Sequence, residues 1–421
     1  MKKALFITYF WPPSGKASLL QPLRIASYLK EFGIEPTVVT VEEDRFNLKD
    51  ETLLSQIPES LKVEKTKAWE PFSLYRKALN KPADSKLVAS ETISSSNSSF
   101  AHRASIWIRM NLFVPDARIG WYFYAVSKCK ELLSKGTYDY IITNGPPHSA
   151  HLIGRKISKL YNIPHITIFI DPWVDIAYYK GLKRNRLTVK LDNKFEKTVV
   201  ENAKLNFFVT EELKKYYINK YPSLANTAEI MHWGYDVKEF DKITRHDKSS
   251  DSLTIVHSGN IFDYQNPIKL WEEISTQINS GIKIQIKFIG TVSPGIKNSI
   301  KDFKLDAYTK YLGFLPYREM LSEVVNADFL LVCATEKRHL PGKLFEYLHT
   351  GNPIIAFAEE NPELERILSE LNSGMVFTYD ISPKPFFDNI SNFKPKKELA
   401  LKYDRKSLTQ VFAKTILNKL P

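Results

Sequence analysis

Short apolar runs alternate with amphipathic segments along nearly the whole chain, and the alternation starts afresh past its middle. Ala4–Tyr9, Pro36–Val41, Tyr138–Thr143, His165–Ile170 and Leu205–Val209 read as buried strands. Between them Ser18–Phe32, Trp121–Ser134, Ser149–Tyr161, Arg186–Asn202 and Glu211–Lys220 carry helical periodicity, the first ending at Gly33. After the polar stretch Thr244–Ser252 the rhythm resumes. Strands are expected at Leu253–His257, Lys283–Ile289, Asp328–Cys333 and Pro353–Phe357. Helices are expected at Pro267–Asn279, Tyr317–Val325, from Lys343, and at Pro362–Glu370. Strands apolar throughout and each followed by a helix belong to parallel sheets covered on both faces. The chain is therefore α/β, with two consecutive doubly wound, Rossmann-like units joined near Trp233–Asp241 and a last helix at Arg405–Leu420.

A chain of 421 residues has room for two or three domains with separate cores. No apolar run approaches the roughly eighteen residues of a spanning helix. The start, Met1-Lys2-Lys3-Ala4-Leu5-Phe6-Ile7, resembles a leader, but it runs into Trp11-Pro12-Pro13 without a small-residue cleavage site. A first strand accounts for it better. Cys129 and Cys333 lie in apolar contexts without metal-ligand spacing, as reduced core residues of a cytoplasmic protein would. The net charge of +12 suits an anionic membrane surface or a phosphate-bearing substrate. Nucleic acid ranks last, because no nucleic-acid motif or long basic block accompanies the charge.

One segment points to chemistry. Pro341-Gly342-Lys343-Leu344-Phe345-Glu346-Tyr347, then Gly351-Asn352-Pro353 and the run Ile354–Phe357, reads as loop, short helix, turn and buried strand. Lys343 and Glu346 share a helix face, with Lys343 in the first turn, where backbone N–H groups already favour an anion. A cation there suits a diphosphate, and a carboxylate one turn deeper accepts from paired ribose hydroxyls. The plainer alternative is a surface Lys–Glu pair at helical spacing.

The segment is similar to the donor-binding segment of glycosyltransferase family 4, whose members have the GT-B fold. That resemblance implies two Rossmann-like domains facing across a cleft, residues 1–235 and 236–402, with 403–421 a helix crossing back to the first. It implies a retaining, metal-independent transfer of sugar from a nucleotide-diphosphate donor to a saccharide or lipid-linked saccharide acceptor in surface-polysaccharide synthesis. Lys343 would contact the diphosphate, Glu346 the ribose, and Leu344 would complete the donor site. Many members carry a second Glu eight positions earlier, where this chain has Arg338. The nearest alternatives are a sugar-nucleotide epimerase of the same fold and a non-catalytic nucleotide-sugar-binding protein.

Other segments fit the same reading. Tyr9–Ser18 superficially resembles a P-loop, but Phe10 replaces the first Gly and Ala17 the metal-binding hydroxyl, which excludes a Walker-type NTPase. No Gly-x-Gly-x-x-Gly follows the first strand, which disfavours a dehydrogenase. The loop resembles the family's cleft-lining loop, with Ser14 on the acceptor side and Gly15 admitting donor phosphates. Asn144-Gly145-Pro146-Pro147-His148-Ser149 follows a strand, where open α/β sheets place ligands. His148 there either contacts a sugar hydroxyl and moves a proton, or merely caps a helix. One strand later, Asp171 is a candidate base or orienter of the acceptor hydroxyl and Trp173 a stacking platform; Asp171 equally suits a turn or cap. In the second unit Gly259 and Asn260 follow the first strand and are expected to admit the diphosphate. Gly290-Thr291 and Phe314-Leu315-Pro316 lie where the nucleobase is expected, and Glu336–His339 form a charged loop ahead of the Lys343 helix. No Asp-x-Asp occurs and no metal or other cofactor is expected, the leaving diphosphate being stabilised by Lys343 and helix termini.

Residues from Pro71 to about Pro115 interrupt the rhythm. Ser90–Phe100 is Ser-rich and reads as flexible, whereas Ile106–Val114 is apolar, aromatic and cationic. Such an insertion docks on a membrane, shapes an acceptor groove, or packs on the first domain.

Overall fold

The structure, a computed structural model, describes residues 1–46, 48–69, 100–176, 183–246, 252–334 and 336–421; the side chains of residues 100–105 are not described. It divides into two compact units. The first comprises Met1–Val209, Leu213–Met231 and Thr409–Pro421; the second comprises Thr210–Glu212 and His232–Leu408.

The first unit holds a seven-stranded parallel sheet: β1 (Lys2–Ile7), β2 (Ile34–Val41), β3 (Lys62–Thr66), β4 (Tyr140–Gly145), β5 (His165–Phe169), β6 (Leu205–Phe208) and β7 (Ala228–Ile230), in the order β3-β2-β1-β4-β5-β6-β7. Every residue of β4, β5 and β6 is buried, as a central parallel strand covered on both faces requires. The second unit holds β8 (Ser252–Ser258), β9 (Lys283–Ile289), β10 (Thr309–Gly313), β11 (Phe329–Cys333), β12 (Ile354–Phe357) and β13 (Gly374–Phe377). These also form a parallel sheet, ordered β10-β9-β8-β11-β12-β13.

Helices at Ser149–Tyr161, Arg186–Asn202, Tyr317–Val325 and Pro362–Glu370 have the bounds that periodicity predicts. Asn185 and Asn361 accept from Thr188 N and Leu364 N at 2.7 and 3.1 Å, satisfying amides that a helix start leaves orphaned. The segment read as one helix over Ser18–Phe32 is instead an α-helix at Leu20–Tyr28 flanked by 3₁₀ turns. Pro22 lies in its first turn, where its missing N–H costs nothing.

Four strands lack a clear sequence signal: β3, β7, β10 and β13. They are the four edge strands of the two sheets. The apolar, cationic stretch at Ile106–Val114 forms most of a helix, Phe100–Leu112. The Ser-rich stretch before Phe100 lies outside the described residues. Cys129 and Cys333 are buried free thiols, and burial pushes both up to about 12.

Candidate functional site

In the second sheet the chain runs outward from β8 to β9 and β10, then returns to β11 on the other side of β8. The strand order therefore reverses between β8 and β11, and the crevice outside their carboxyl ends is where open α/β sheets bind ligands. His257, the penultimate residue of β8, spans that reversal. Its Nδ1 lies 3.0 Å from the Leu331 carbonyl of β11, and its Nε2 lies 2.9 Å from Lys343 Nζ. A carbonyl can only accept and an ammonium can only donate, so Nδ1 carries the proton and Nε2 receives the ammonium. Burial, reinforced by Lys343, holds the imidazole well below its ordinary value, which keeps it in that neutral form.

His257 thereby aims the Lys343 ammonium at the turn after β8. Gly259 stands there at φ +91°, and a Cβ on it would lie 3.2 Å from Lys343 Nζ. Gly290, leaving β9 at φ +100°, comes so close that a Cβ would meet the Gly259 carbonyl carbon at 2.8 Å. Only two residues without side chains can bring these turns backbone to backbone in that conformation. Asn260 ties them together, its Oδ1 accepting from Thr291 N at 3.0 Å, so that carboxamide oxygen braces the turn.

Lys343 begins the helix Lys343–Thr350. Burial pushes its ammonium down to about 8, against the weaker upward pull of Cys333 and Glu346. Glu346, one turn on and 5% exposed, accepts from the Tyr317 hydroxyl at 2.9 Å and lies 3.9 Å from Arg405 Nη2. Burial raises its carboxyl, against the opposing pulls of Arg405, Tyr317 and Lys343. Lys343 and Glu346 are thus not an ion pair with each other; each has a separate partner. Tyr347 completes the helix's grip on the turn: its hydroxyl accepts from Ser258 N at 2.8 Å and donates to Ser258 Oγ at 3.1 Å.

Leu344 faces away from any ligand position. Its side chain is fully buried and its amide donates to the Pro341 carbonyl at 2.9 Å, so it has no group to offer a donor. Arg338 lays its guanidinium on Glu336, with Nη2 2.7 and 2.9 Å from the two carboxylate oxygens. Sequence reasoning overlooks His257, Tyr317 and Arg405. The available signal for His257 is a polar residue at the carboxyl end of an apolar strand.

In the first unit the strand order reverses between β1 and β4. Behind β4, Asp116 caps the Ser149–Tyr161 helix, accepting from Ser149 N at 2.8 Å and, through its other oxygen, from Arg118 N at 2.9 Å. His148 immediately precedes that helix at 6% exposure and stacks on Trp173, with ring centroids 4.8 Å apart and planes within 5°. Ile170 N donates to the Gly145 carbonyl at 3.0 Å, which sets the half-buried Asp171 and its neighbour Pro172 beside the His148 turn. Trp173 is 2% exposed, donating Nε1 to Asp192 at 2.6 Å. Its ring supports His148 and has no free face for a sugar, which corrects the expectation of a stacking platform.

Beneath lies a polar core. Thr143 Oγ1 sits 2.7 Å from His151 Nδ1 and 2.8 Å from His165 Nε2. Burial lowers all three histidines, His148 and His165 to about 3 and His151 well below its ordinary value. A base held that low accepts protons poorly, so His148 is better suited to hydrogen bonding and positioning than to proton abstraction.

The loop after β1 is braced throughout. Gly15 N donates to the Leu48 carbonyl at 2.8 Å and Asp50 N to that of Pro13 at 2.7 Å. The Gly15 amide is thus committed to a loop partner. Ser14 is 1% exposed and its Oγ lies 3.4 Å from Lys16 N, so it too belongs to the turn. Lys16 itself is pushed down by burial, then by Arg118 and Arg109, so three cations converge beside β1. Arg118 Cζ stands 5.2 Å over the Tyr9 ring. Among the described residues no cluster of His, Cys, Asp and Glu could hold a metal ion.

No family model matches the chain, and no curated protein matches it. Solved structures do. A sucrose-phosphate synthase from Thermosynechococcus elongatus aligns over 99% of both chains at TM-score 0.67 and 11% identity. HepE of Anabaena, in complex with UDP and glucose, covers 99% of this chain and 100% of its own at 0.66 and 14%. A putative UDP-N-acetylglucosamine 2-epimerase from Listeria monocytogenes covers 99% and 96% at 0.51 and 11%. These likenesses establish the fold: two α/β domains built as in the GT-B enzymes.

Proposed function

We propose that this chain is a glycosyltransferase that takes its sugar from a nucleotide-diphosphate donor bound at the β8/β11 reversal. The observation that carries the reading is the Lys343 ammonium, aimed by a neutral His257 at a backbone turn that tolerates no side chain. A diphosphate seated on Gly259 would meet that charge directly. Stabilising the leaving diphosphate there requires no metal ion. Glu346, held by Tyr317 and Arg405 one turn deeper, would accept from ribose hydroxyls. The GT-B neighbours and their complexes with UDP and glucose support the same ligand class.

The acceptor falls to the first unit, where His148 and Asp171 would orient its hydroxyl. The cations Lys16, Arg109 and Arg118 favour a saccharide carrying phosphate, as a lipid-linked acceptor does. Retention of configuration and a role in surface-polysaccharide synthesis belong to this proposal through the family resemblance.

Epimerases of the same fold make donor isomerisation the competing reaction. Incubation with a panel of sugar nucleotides separates the two. Transfer releases nucleoside diphosphate only when a lipid or saccharide acceptor is added, whereas an epimerase converts the donor alone. Failure of every sugar nucleotide and free nucleoside diphosphate to compete for one site on the protein overturns the proposal.

A further inference from the structure

The first half of helix Arg186–Asn202 in the first unit turns polar side chains inward and leucines outward, whereas Val199 and Val200 bury its second half in the usual way. Thr188, Asp192 and Glu196, one face at i, i+4, i+8, point inward at 5%, 0% and 0% exposure. Leu187 and Leu191 stand 80% and 41% exposed on the other side. Buried polar contacts hold that rotation. Asp192 receives Trp173 Nε1 at 2.6 Å and pairs with Arg184, and Glu196 receives Lys220 Nζ at 2.9 Å. Turning the leucines inward would strip two buried carboxylates of these partners.

The neighbouring helix Phe100–Leu112 carries further exposed apolar side chains among its described residues. Asn111 clasps it to the start of helix Arg186–Asn202: its Nδ2 donates to the Lys183 carbonyl at 3.1 Å and its Oδ1 accepts from Asn185 N at 2.6 Å. Its own carbonyl accepts from Thr188 Oγ1 at 2.9 Å. Either side of this clasp, Ile108 and Leu112 are 38% and 64% exposed, and Trp107 is 47% exposed. Lys183, just ahead of the helix Arg186–Asn202, and Arg186, Lys190 and Lys194 within it are exposed. The acids of residues 183–197, Asp192 and Glu196, are both buried, so the exposed charge of this stretch is wholly positive.

We propose that this face docks on an anionic lipid bilayer. Leu187, Leu191, Ile108 and Leu112 would enter the headgroup–acyl boundary while the lysines lie over lipid phosphates. Charge selects this occupant. A second copy pairing through the same face would set one row of lysines against another. The docking deepens the transfer reading by placing the first unit at the source of a lipid-linked acceptor, but its test needs no transfer activity.

The test is co-sedimentation of the full chain with vesicles of phosphatidylcholine alone and with about 30% phosphatidylglycerol. Binding to the mixed vesicles that weakens with salt is expected, with little binding to the neutral ones. Lys190→Gln/Lys194→Gln reduces partitioning roughly thirty-fold, from about 1 kcal/mol per lysine at an anionic surface. Leu187→Gln/Leu191→Gln reduces it by about tenfold or more. Both variants retain the far-UV circular dichroism and the urea unfolding curve of the unmodified chain, which reports an intact fold. Equal binding to both vesicle types, or partitioning unchanged in both variants, overturns the proposal. So does a dimer in sedimentation velocity that Leu187→Gln/Leu191→Gln abolishes, because a second copy would then occupy the face. Loss of sugar-nucleotide binding by the unmodified chain would sink the donor assignment and leave docking standing.

Discussion

Lys343 offers the sharpest test, because burial pushes its ammonium down to about 8 from an ordinary 10.5. A nucleotide sugar's diphosphate is a diester whose charge does not change between about pH 7 and pH 10, so its affinity reports the protein's titration. If the donor binds the ammonium form, affinity is nearly flat below pH 8 and falls tenfold per unit above it. At about pH 9.5, roughly 1.5 units past the midpoint, binding is weaker than at pH 7 by about thirty-fold, or about 2 kcal/mol. Isothermal calorimetry across this range measures it directly. In Lys343→Met the neutral-pH affinity drops by about 1.5–3 kcal/mol, the usual worth of a hydrogen bond to a charged group, and the alkaline limb disappears. That variant also controls for titration of the nucleobase. Lys343→Arg keeps its charge and shows no limb in this range. Should the limb persist at full size in Lys343→Met, the ammonium does not meet the donor and the site has been misread.

Gly259→Ala strains a residue at φ +91° and presses a methyl on Lys343; donor affinity falls by calorimetry and the unfolding free energy from urea curves drops by about 1–2 kcal/mol. Glu346→Gln keeps the Tyr317 contact, weakens donor binding, and costs less stability than full truncation, because its carboxamide oxygen still accepts from Tyr317 although the charge facing Arg405 is lost. Glu346→Ala leaves Arg405 buried without its carboxylate and costs about 3–5 kcal/mol in denaturant unfolding. His165, lowered to about 3 from 6.5, stays neutral when folded while the unfolded chain takes up a proton, so stability is lost as pH falls below 6.5. In His165→Gln the stability lost between about pH 7.5 and pH 5 is smaller by about 2 kcal/mol, read from urea curves at the two pH values.

What was legible along the chain, and what was not, divides on burial. Central strands such as Tyr140–Gly145 and Phe329–Cys333 are apolar end to end because both faces are covered, and they announce themselves. Edge strands are covered on one flank only and tolerate charge. Lys62–Thr66 reads KVEKT and Ala228–Ile230 is three residues long, so neither leaves a pattern to find. The Lys343–Glu346 spacing was visible, since helical period alone puts the two on one side. Their partners were not: His257 and Arg405 lie 86 and 59 positions from them in sequence, and only the crossover from β10 back to β11 brings the former near.

By itself the sequence determined two parallel α/β units and the turn-to-helix positions where ligands belong. Which groups at those positions are free to act was decided by the tertiary structure. It engaged the amides of Gly15 and Leu344, sealed Trp173 beneath His148, and left Lys343 aimed at Gly259. The physical reason is that periodicity reports which face of an element is covered. Hydrogen-bond partnership and the desolvation that shifts a pKa depend on residues far away along the chain.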